Sequence, residues 1–298
     1  MPKRIAAIGE PMVELAPAGP ADQFTLAFAG DTMNTAWYLK RLNPALEVDY
    51  ITRLGRDDMS DRLADYLAKS GIGTDYISRC DTRTVGLYMI SLANGERSFA
   101  YWRGQSAARE LAHDLEALGA ACDGADIVYV SGITLAVLEG PGRDNLFAAL
   151  KAARAGGALV AFDPNLRPRL WPDTDTMCAA VMEAAALSDI ALPSFEDEAS
   201  FFGDADPQAT LDRYAGAGAR TVIVKNGEGA IVYLHQGAQG SFTPAPVAQV
   251  VDTTAAGDSF NAGILAHFAM DAPLAPLIET AAGVSAKVIQ ARGALVKI

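Results

Sequence analysis

The chain has 298 residues, half of them hydrophobic and a fifth charged, with 24 Lys plus Arg against 36 Asp plus Glu and a formal net charge of −12. That balance suits a soluble globular protein with an ample core, and no run of about 18 or more apolar residues offers a membrane span. No basic block appears, so nucleic acid is not an expected partner, and an anionic ligand has to be held by a few placed groups.

The start, MPKRIAAIGE, reads as a first buried strand rather than a signal peptide, because Glu10 interrupts its apolar run early. EPMVELAP and FTLAFAG, within 10–30, lack helical periodicity. AGDTMNTAWYLKRL (29–42) then leads from Ala29-Gly30 into a helix with Asp31 and Asn34 on its first turn. Asp31 is either a helix N-cap or, with Gly30 and Asn34, a binder of polyol or sugar hydroxyls. YITRLG (50–55) joins the same sheet as the first strand.

TVGLYMISLANGERSFAYWRG (84–104) predicts a hairpin turning at Ala93-Asn94-Gly95-Glu96, since Asn-Gly favours the tight turn. Together with 10–30 it predicts a small β-sheet standing away from the main one, as a lid. Alternation puts Phe99, Tyr101 and Arg103 on one face with Tyr88, and Trp102 on the other. Two phenols and a guanidinium suit a ligand carrying a carboxylate or phosphate, unless they only cover the core.

From residue 126 the rhythm changes. DIVYVSG (126–132), ALVAFDP (158–164), DIALP (189–193) and RTVIVKNG (220–227) read as buried strands, each followed by a helical pattern. Strands alternating with helices predict an α/β fold with a mainly parallel sheet covered on both faces. Ligands then bind beyond the carboxyl ends of the strands, where FDPNLRPRLW (162–171) offers Asn165, Arg167 and Arg169. No linker or repeat divides the chain, so a single domain over 1–298 is expected. Cys80, Cys122 and Cys178 are widely spaced and read as buried thiols of a reducing cytoplasm, and the three histidines show no ligand spacing.

VVDTTAAGDSFNAG (250–263) carries the sharpest chemistry. A strand-like Val-Val enters small residues and then a helix, whose first turn exposes backbone N–H groups suited to phosphate. Asp258 in that turn either complements the helix dipole or takes a proton from an attacking hydroxyl. No Gly-Lys dipeptide occurs, so there is no Walker A loop. No GxGxxG follows the first strand, which weakens a dehydrogenase reading.

The two glycine-rich segments together resemble the signatures of the ribokinase-type (phosphofructokinase B type) carbohydrate kinases. Ala29, Gly30 and Asn34 match the first; Asp252, Thr253, Ala256, Gly257, Asp258, Ala262 and Gly263 match the second, with Ala255 in place of a glycine. The resemblance covers essentially the whole chain, and AGDTMNTAWYL, YWR (101–103), FDPNLRPRLW and DTTAAGDSFNAG are most similar to members acting on 2-keto-3-deoxygluconate. It implies a three-layer α/β/α fold and transfer of the ATP γ-phosphoryl group to the C6 hydroxyl of that sugar acid. Asp258 is then the base, and Ala255, Ala256 and Gly257 lead an anion hole. The substrate is held by Gly30, Asp31, Asn34, Tyr88, Tyr101, Arg103 and Arg167, with an arginine meeting its carboxylate. Asn165, Lys225, Gly227 and Gly229, with Ala256 and Gly257, contact nucleotide, and Mg²⁺ is held largely through phosphates and water. The family's Asn-x-x-Glu stands here as Ser194-Phe195-Glu196-Asp197, so no direct metal ligand is assigned. The lid sheet of such kinases often meets a second copy, which implies a homo-oligomer. Fructose or the galacto epimer is the nearest alternative substrate; a non-catalytic sugar-binding protein is the alternative of another class.

Overall fold

The structure is a computed structural model describing residues 3–19, 23–93, 96–268 and 274–298. Among the described residues there are thirteen strands: β1 (Arg4–Ile8), β2 (Met12–Pro17), β3 (Phe24–Ala29), β4 (Glu47–Leu54), β5 (Ile77–Arg79), β6 (Gly86–Ala93), β7 (Glu96–Trp102), β8 (Ile127–Ser131), β9 (Leu159–Asp163), β10 (Ile190–Ala191), β11 (Thr221–Val224), β12 (Ile231–His235) and β13 (Ala238–Phe242). The helices are α1 (Asp31–Leu42), α2 (Asp58–Lys69), α3 (Leu115–Cys122), α4 (Gly132–Val137), α5 (Gly142–Ala155), α6 (Thr174–Leu187), α7 (Phe195–Phe202), α8 (Pro207–Ala217), α9 (Ala256–Phe268) and α10 (Leu274–Val288).

Nine strands form the larger sheet in the order β13-β12-β11-β10-β9-β8-β1-β4-β5. Pairing is parallel from β5 to β11 and antiparallel only for β11–β12 and β12–β13. The pleat explains the three layers, because successive side chains of one strand point to opposite faces. Ala6 and Ile8 of β1 join the buried cluster on the face covered by α3, α4, α5, α6 and α8, which also holds Leu118, Leu146 and Leu211. Ile5 and Ala7 join the cluster on the other face, covered by α1, α2, α9 and α10, which also holds Met33, Leu63 and Ile264. The four buried strands expected between 126 and 227 are present as β8, β9, β10 and β11, as are β1 and β4.

A second sheet, in the order β3-β2-β6-β7, stands on the chain segments expected to form it. Its strands pair antiparallel except for β2–β6, which are parallel. Met12, Ala29, Tyr88 and Ile90 of this sheet form a small buried cluster with Ala294 of the C-terminal segment. The β6–β7 hairpin has the expected pairing, while Asn94 and Gly95 of its turn lie outside the described residues.

Three expectations need correcting. Val250 and Val251 are not a strand: both side chains are exposed and no strand pairs with them, the N–H of Val251 instead donating to the Ile289 carbonyl. Cys178 is half-buried, although Cys80 and Cys122 are buried and all three thiols are free. The antiparallel edge β12–β13 was not anticipated. It turns at Gln236-Gly237, with φ 49° and 85°, the left-handed pair that a two-residue hairpin demands. Among the described residues no helix is long and apolar enough to cross a membrane.

Candidate active site

Two helix N-termini meet over the carboxyl ends of the parallel strands. Helices α1 and α9 pack against each other, and the Thr35 hydroxyl of α1 donates to the Asp258 carbonyl of α9 at 3.2 Å. Between them and the second sheet lies a cavity of about 880 Å³.

Asp258 opens on this cavity while its carboxyl group lies deep. Asn34 Nδ2 donates to Asp258 Oδ2 at 2.8 Å, and Asn34 Oδ1 in turn accepts from the Gly30 N–H at 3.3 Å. Burial pushes the Asp258 carboxyl up to about 8. The charge of Asp31 adds to the shift, the Asn34 hydrogen bond opposes it, Asp163 adds and Lys225 opposes. A base with a pKa near the working pH both accepts a proton readily and is substantially ionised. If Asp258 is the base that the resemblance implies, only its ionised form acts, so kcat/KM rises with pH and levels above about 8. A pH–rate profile checks it, and a flat profile from pH 6 to 9 would remove Asp258 as the titrating base.

At the start of α9 the backbone turns sharply. Ala255 has φ 59°, in the left-handed region that costs an L-residue roughly 1–2 kcal/mol. That accounts for the glycine at this place in the resembling kinases. The Ala256 N–H donates to the Thr253 carbonyl at 3.2 Å. The next N–H groups of the α9 first turn belong to Gly257 and Asp258, where a helix supplies no internal acceptor. Lys225 stands beneath: a Cβ placed on Gly257 would be 3.5 Å from Lys225 Nζ.

Lys225 is held by residues that sequence reasoning missed. Its Nζ donates to Asp163 Oδ2 and Asn261 Oδ1, each at 3.2 Å, and Asn261 Nδ2 donates to Asp163 Oδ2 at 2.7 Å. Asp163 closes β9, and Asn261 lies one helical turn after Asp258, a spacing that puts both on one face of α9. Asn165, at φ 36°, donates from its side chain to Asp31 Oδ2 at 2.9 Å, across the cavity floor.

Among the sequence-derived substrate contacts, Gly30, Asp31, Asn34, Tyr88, Tyr101, Arg103 and Arg167 all line the cavity, as do Asn165, Lys225, Ala255, Ala256 and Gly257. Gly227 and Gly229 do not; they sit on the β11–β12 turn beyond Lys225. Tyr88 and Tyr101 are register partners with ring centroids 5.8 Å apart, and Phe99 stacks on Tyr101 at 6.3 Å. Arg103 departs from the expectation of a guanidinium waiting for an anion. Its Nε donates to Glu10 Oε2 at 2.8 Å, its Nη2 donates to the same oxygen, and Glu10 is buried. Arg167, half-exposed, has a looser ion pair to Asp197 at 3.3 Å.

Among the described residues no group of three or more His, Cys, Asp or Glu converges as a metal site. Asp197 lines the cavity, and burial raises its carboxyl pKa, with Arg167 opposing the shift.

A family model described as pfkB family carbohydrate kinase matches residues 3–297. The 2-dehydro-3-deoxygluconokinase of Dickeya dadantii is 40% identical, over 99% of this chain and 97% of that protein. The enzyme of the same name from Haemophilus influenzae is 37% identical, over 99% of this chain and 96% of its own. A crystal structure of fructokinase with bound ATP from Xylella fastidiosa superposes with a TM-score of 0.86 at 27% identity, covering 99% of this chain and 94% of that one.

Proposed function

Because the chain belongs to the pfkB family of carbohydrate kinases, and is thus a phosphotransferase, we propose that it phosphorylates 2-keto-3-deoxygluconate at the C6 hydroxyl, with ATP as donor. The compound is the 2-dehydro-3-deoxygluconate in the names of its relatives. The observation that carries the choice of an acid is Arg167, a half-exposed cavity cation whose ion pair is a single 3.3 Å contact. Arg103 is a weaker candidate for the substrate carboxylate, because the buried Glu10 already balances its charge.

In this reading the sugar acid lies between α1 and the second sheet, with its carboxylate at Arg167 and its C6 hydroxyl at Asp258. Asp258 removes the hydroxyl proton as the oxygen attacks phosphorus. The N–H groups of Gly257 and Asp258 and the positive end of α9 stabilise the transferring phosphoryl oxygens. Lys225 supports the same charge from below, fixed there by Asp163 and Asn261. Nucleotide occupies the side of the cavity bounded by Asn165, Lys225 and Gly257, with the Gly227–Gly229 turn beyond it. Mg²⁺ would draw the donor's phosphate charge into line, and Asp197 fits it. Its Oδ2 takes the Arg167 hydrogen bond, and Mg²⁺ commonly uses one carboxylate with phosphates and water. The free thiols suit a reducing cytoplasm.

The test is ADP release with Mg-ATP and a matched panel: 2-keto-3-deoxygluconate, its galacto epimer, gluconate and fructose. Preference for the first supports the reading, and a win for fructose would leave the kinase and remove the acid. Arg167→Ala should raise KM for the acid about 10–100-fold, the worth of a charge-assisted hydrogen bond. It should leave KM for ATP within a few-fold, and equal rises for both would count against the assignment.

A further inference from the structure

Tyr88 is the buried phenol of the cavity wall, and the residue behind it decides what it can offer. Its strand β6 lies parallel to β2 with Glu14 in register with Tyr88, so the two side chains stand side by side on one face of the second sheet. Glu14 is 5% exposed and Tyr88 7% exposed. The Tyr88 hydroxyl donates to Glu14 Oε2. Tyr88 lines the cavity whereas Glu14 does not.

A phenol has one proton to donate and two lone pairs to accept with. With that proton given to a buried carboxylate, the oxygen can meet a ligand only as an acceptor. Burial and the Glu14 charge also push the phenol's pKa far above its ordinary value, so the proton stays. Resting on the sugar-kinase reading above, we propose that Glu14 is a positioning residue that fixes Tyr88 as a hydrogen-bond acceptor, so that this part of the wall selects a substrate hydroxyl. A carboxylate, carbonyl or phosphate oxygen at the same point would find a lone pair facing a lone pair. The 2-keto-3-deoxy acid has two hydroxyls besides the one phosphorylated, at C4 and C5, and Tyr88 reads one of them. Tyr101 is 50% exposed, so its hydroxyl can exchange hydrogen bonds with solvent or a ligand in either role.

The wild-type enzyme is first run on the sugar panel; failure to phosphorylate any sugar acid overturns the functional reading, and the remaining steps then use the best acceptor found. Glu14→Gln, Tyr88→Phe and the double variant form a cycle, with KM for the acceptor and for ATP measured separately. Each single variant should raise the acceptor KM about tenfold, with kcat and the ATP KM within twofold. The double variant should be no worse than the worse single one, because Glu14 acts through the Tyr88 oxygen. Losses that multiply, equal effects on ATP, or an unchanged Glu14→Gln would each overturn the proposal. The 4-deoxy and 5-deoxy analogues give a second readout: wild type should reject one of them strongly, and both single variants should lose that discrimination. If Glu14→Gln does not fold, Tyr88→Phe carries the test alone, and retained discrimination against both analogues would overturn it.

Discussion

Asp258→Asn should lower kcat on the order of 10²–10⁴-fold, the usual contribution of a positioned general base, while KM for ATP and for the sugar acceptor changes little. The substitution is nearly isosteric. The amide oxygen can still accept the Asn34 Nδ2 hydrogen bond, now 2.8 Å, so the junction of α1 and α9 should survive. What disappears is the basic lone pair and the charge. The same variant makes an opposite prediction for stability. A carboxyl whose folded pKa is raised binds its proton more tightly in the native state than unfolded, so stability falls as pH rises through the interval between the ordinary value and about 8. Above that interval the full cost is present in the wild type and absent from the amide. Asp258→Asn should therefore melt at an equal or higher temperature at pH 9, and turnover and melting together separate lost chemistry from lost structure. Near-normal turnover would take Asp258 out of the base role. Low turnover with a lower melting temperature would make it a structural residue.

Much of this arrangement is legible in the sequence, and the illegible remainder has physical causes. The parallel strands could be read because a strand buried on both faces is a short apolar run, and VYVS and VAFD are such runs bounded by Asp, Gly and Pro. The β12–β13 hairpin escaped because Gln236 adopts the left-handed conformation without being Asn, Asp or Gly, so its turn carries half of the usual signal. Val250 and Val251 show the converse, β-branched residues that find no partner strand. The sharp turn into α9 was legible as a stretch of small residues. That the Ala256 N–H turns back to Thr253 is a matter of one hydrogen bond that no spacing encodes. Glu10 and Glu14 are the largest omission. On a strand they look like solvent-facing alternation, yet both are buried, because the partners that satisfy them, Arg103, Ser106 and Tyr88, arrive from some 74 to 96 residues away. Pairing of that range is a property of the fold, and it changes the chemistry that Arg103 and Tyr88 can do.

Gly132→Ala should cost about 100-fold in kcat/KM although residue 132 does not line the cavity, since a 1 Å misplacement of site groups is worth about that much. Gly132 opens α4 directly after β8, where Ser131 is in register with Asp163 of β9. A Cβ there would lie 1.8 Å from the Pro164 carbonyl oxygen and 2.9 Å from its carbon, both backbone atoms that no rotamer change can move aside. Helix α4 cannot easily retreat, because Thr134 Oγ1 donates to the Ile8 carbonyl of β1 at 3.0 Å and Ser131 Oγ accepts from the Thr134 N–H. The strain therefore falls on the loop after Pro164. That loop carries Asn165, whose N–H is tied to Asp163 Oδ1 at 3.2 Å and whose side chain reaches Asp31, and then Arg167. Displacing it disturbs the Asp163–Lys225 pair and the proposed carboxylate contact at once. Overpacking of this kind also costs about 1–3 kcal/mol of stability. Gly119→Ala on α3 is the control, because its Cβ would meet nothing within 4 Å and a helical alanine should be neutral or stabilising by roughly 0.5–1 kcal/mol. Kinetics and melting of the two variants, compared side by side, make the test. Wild-type kinetics in Gly132→Ala would mean that the loop yields without moving its side chains, and that the close contact of α4 with Pro164 does not set the geometry of the site.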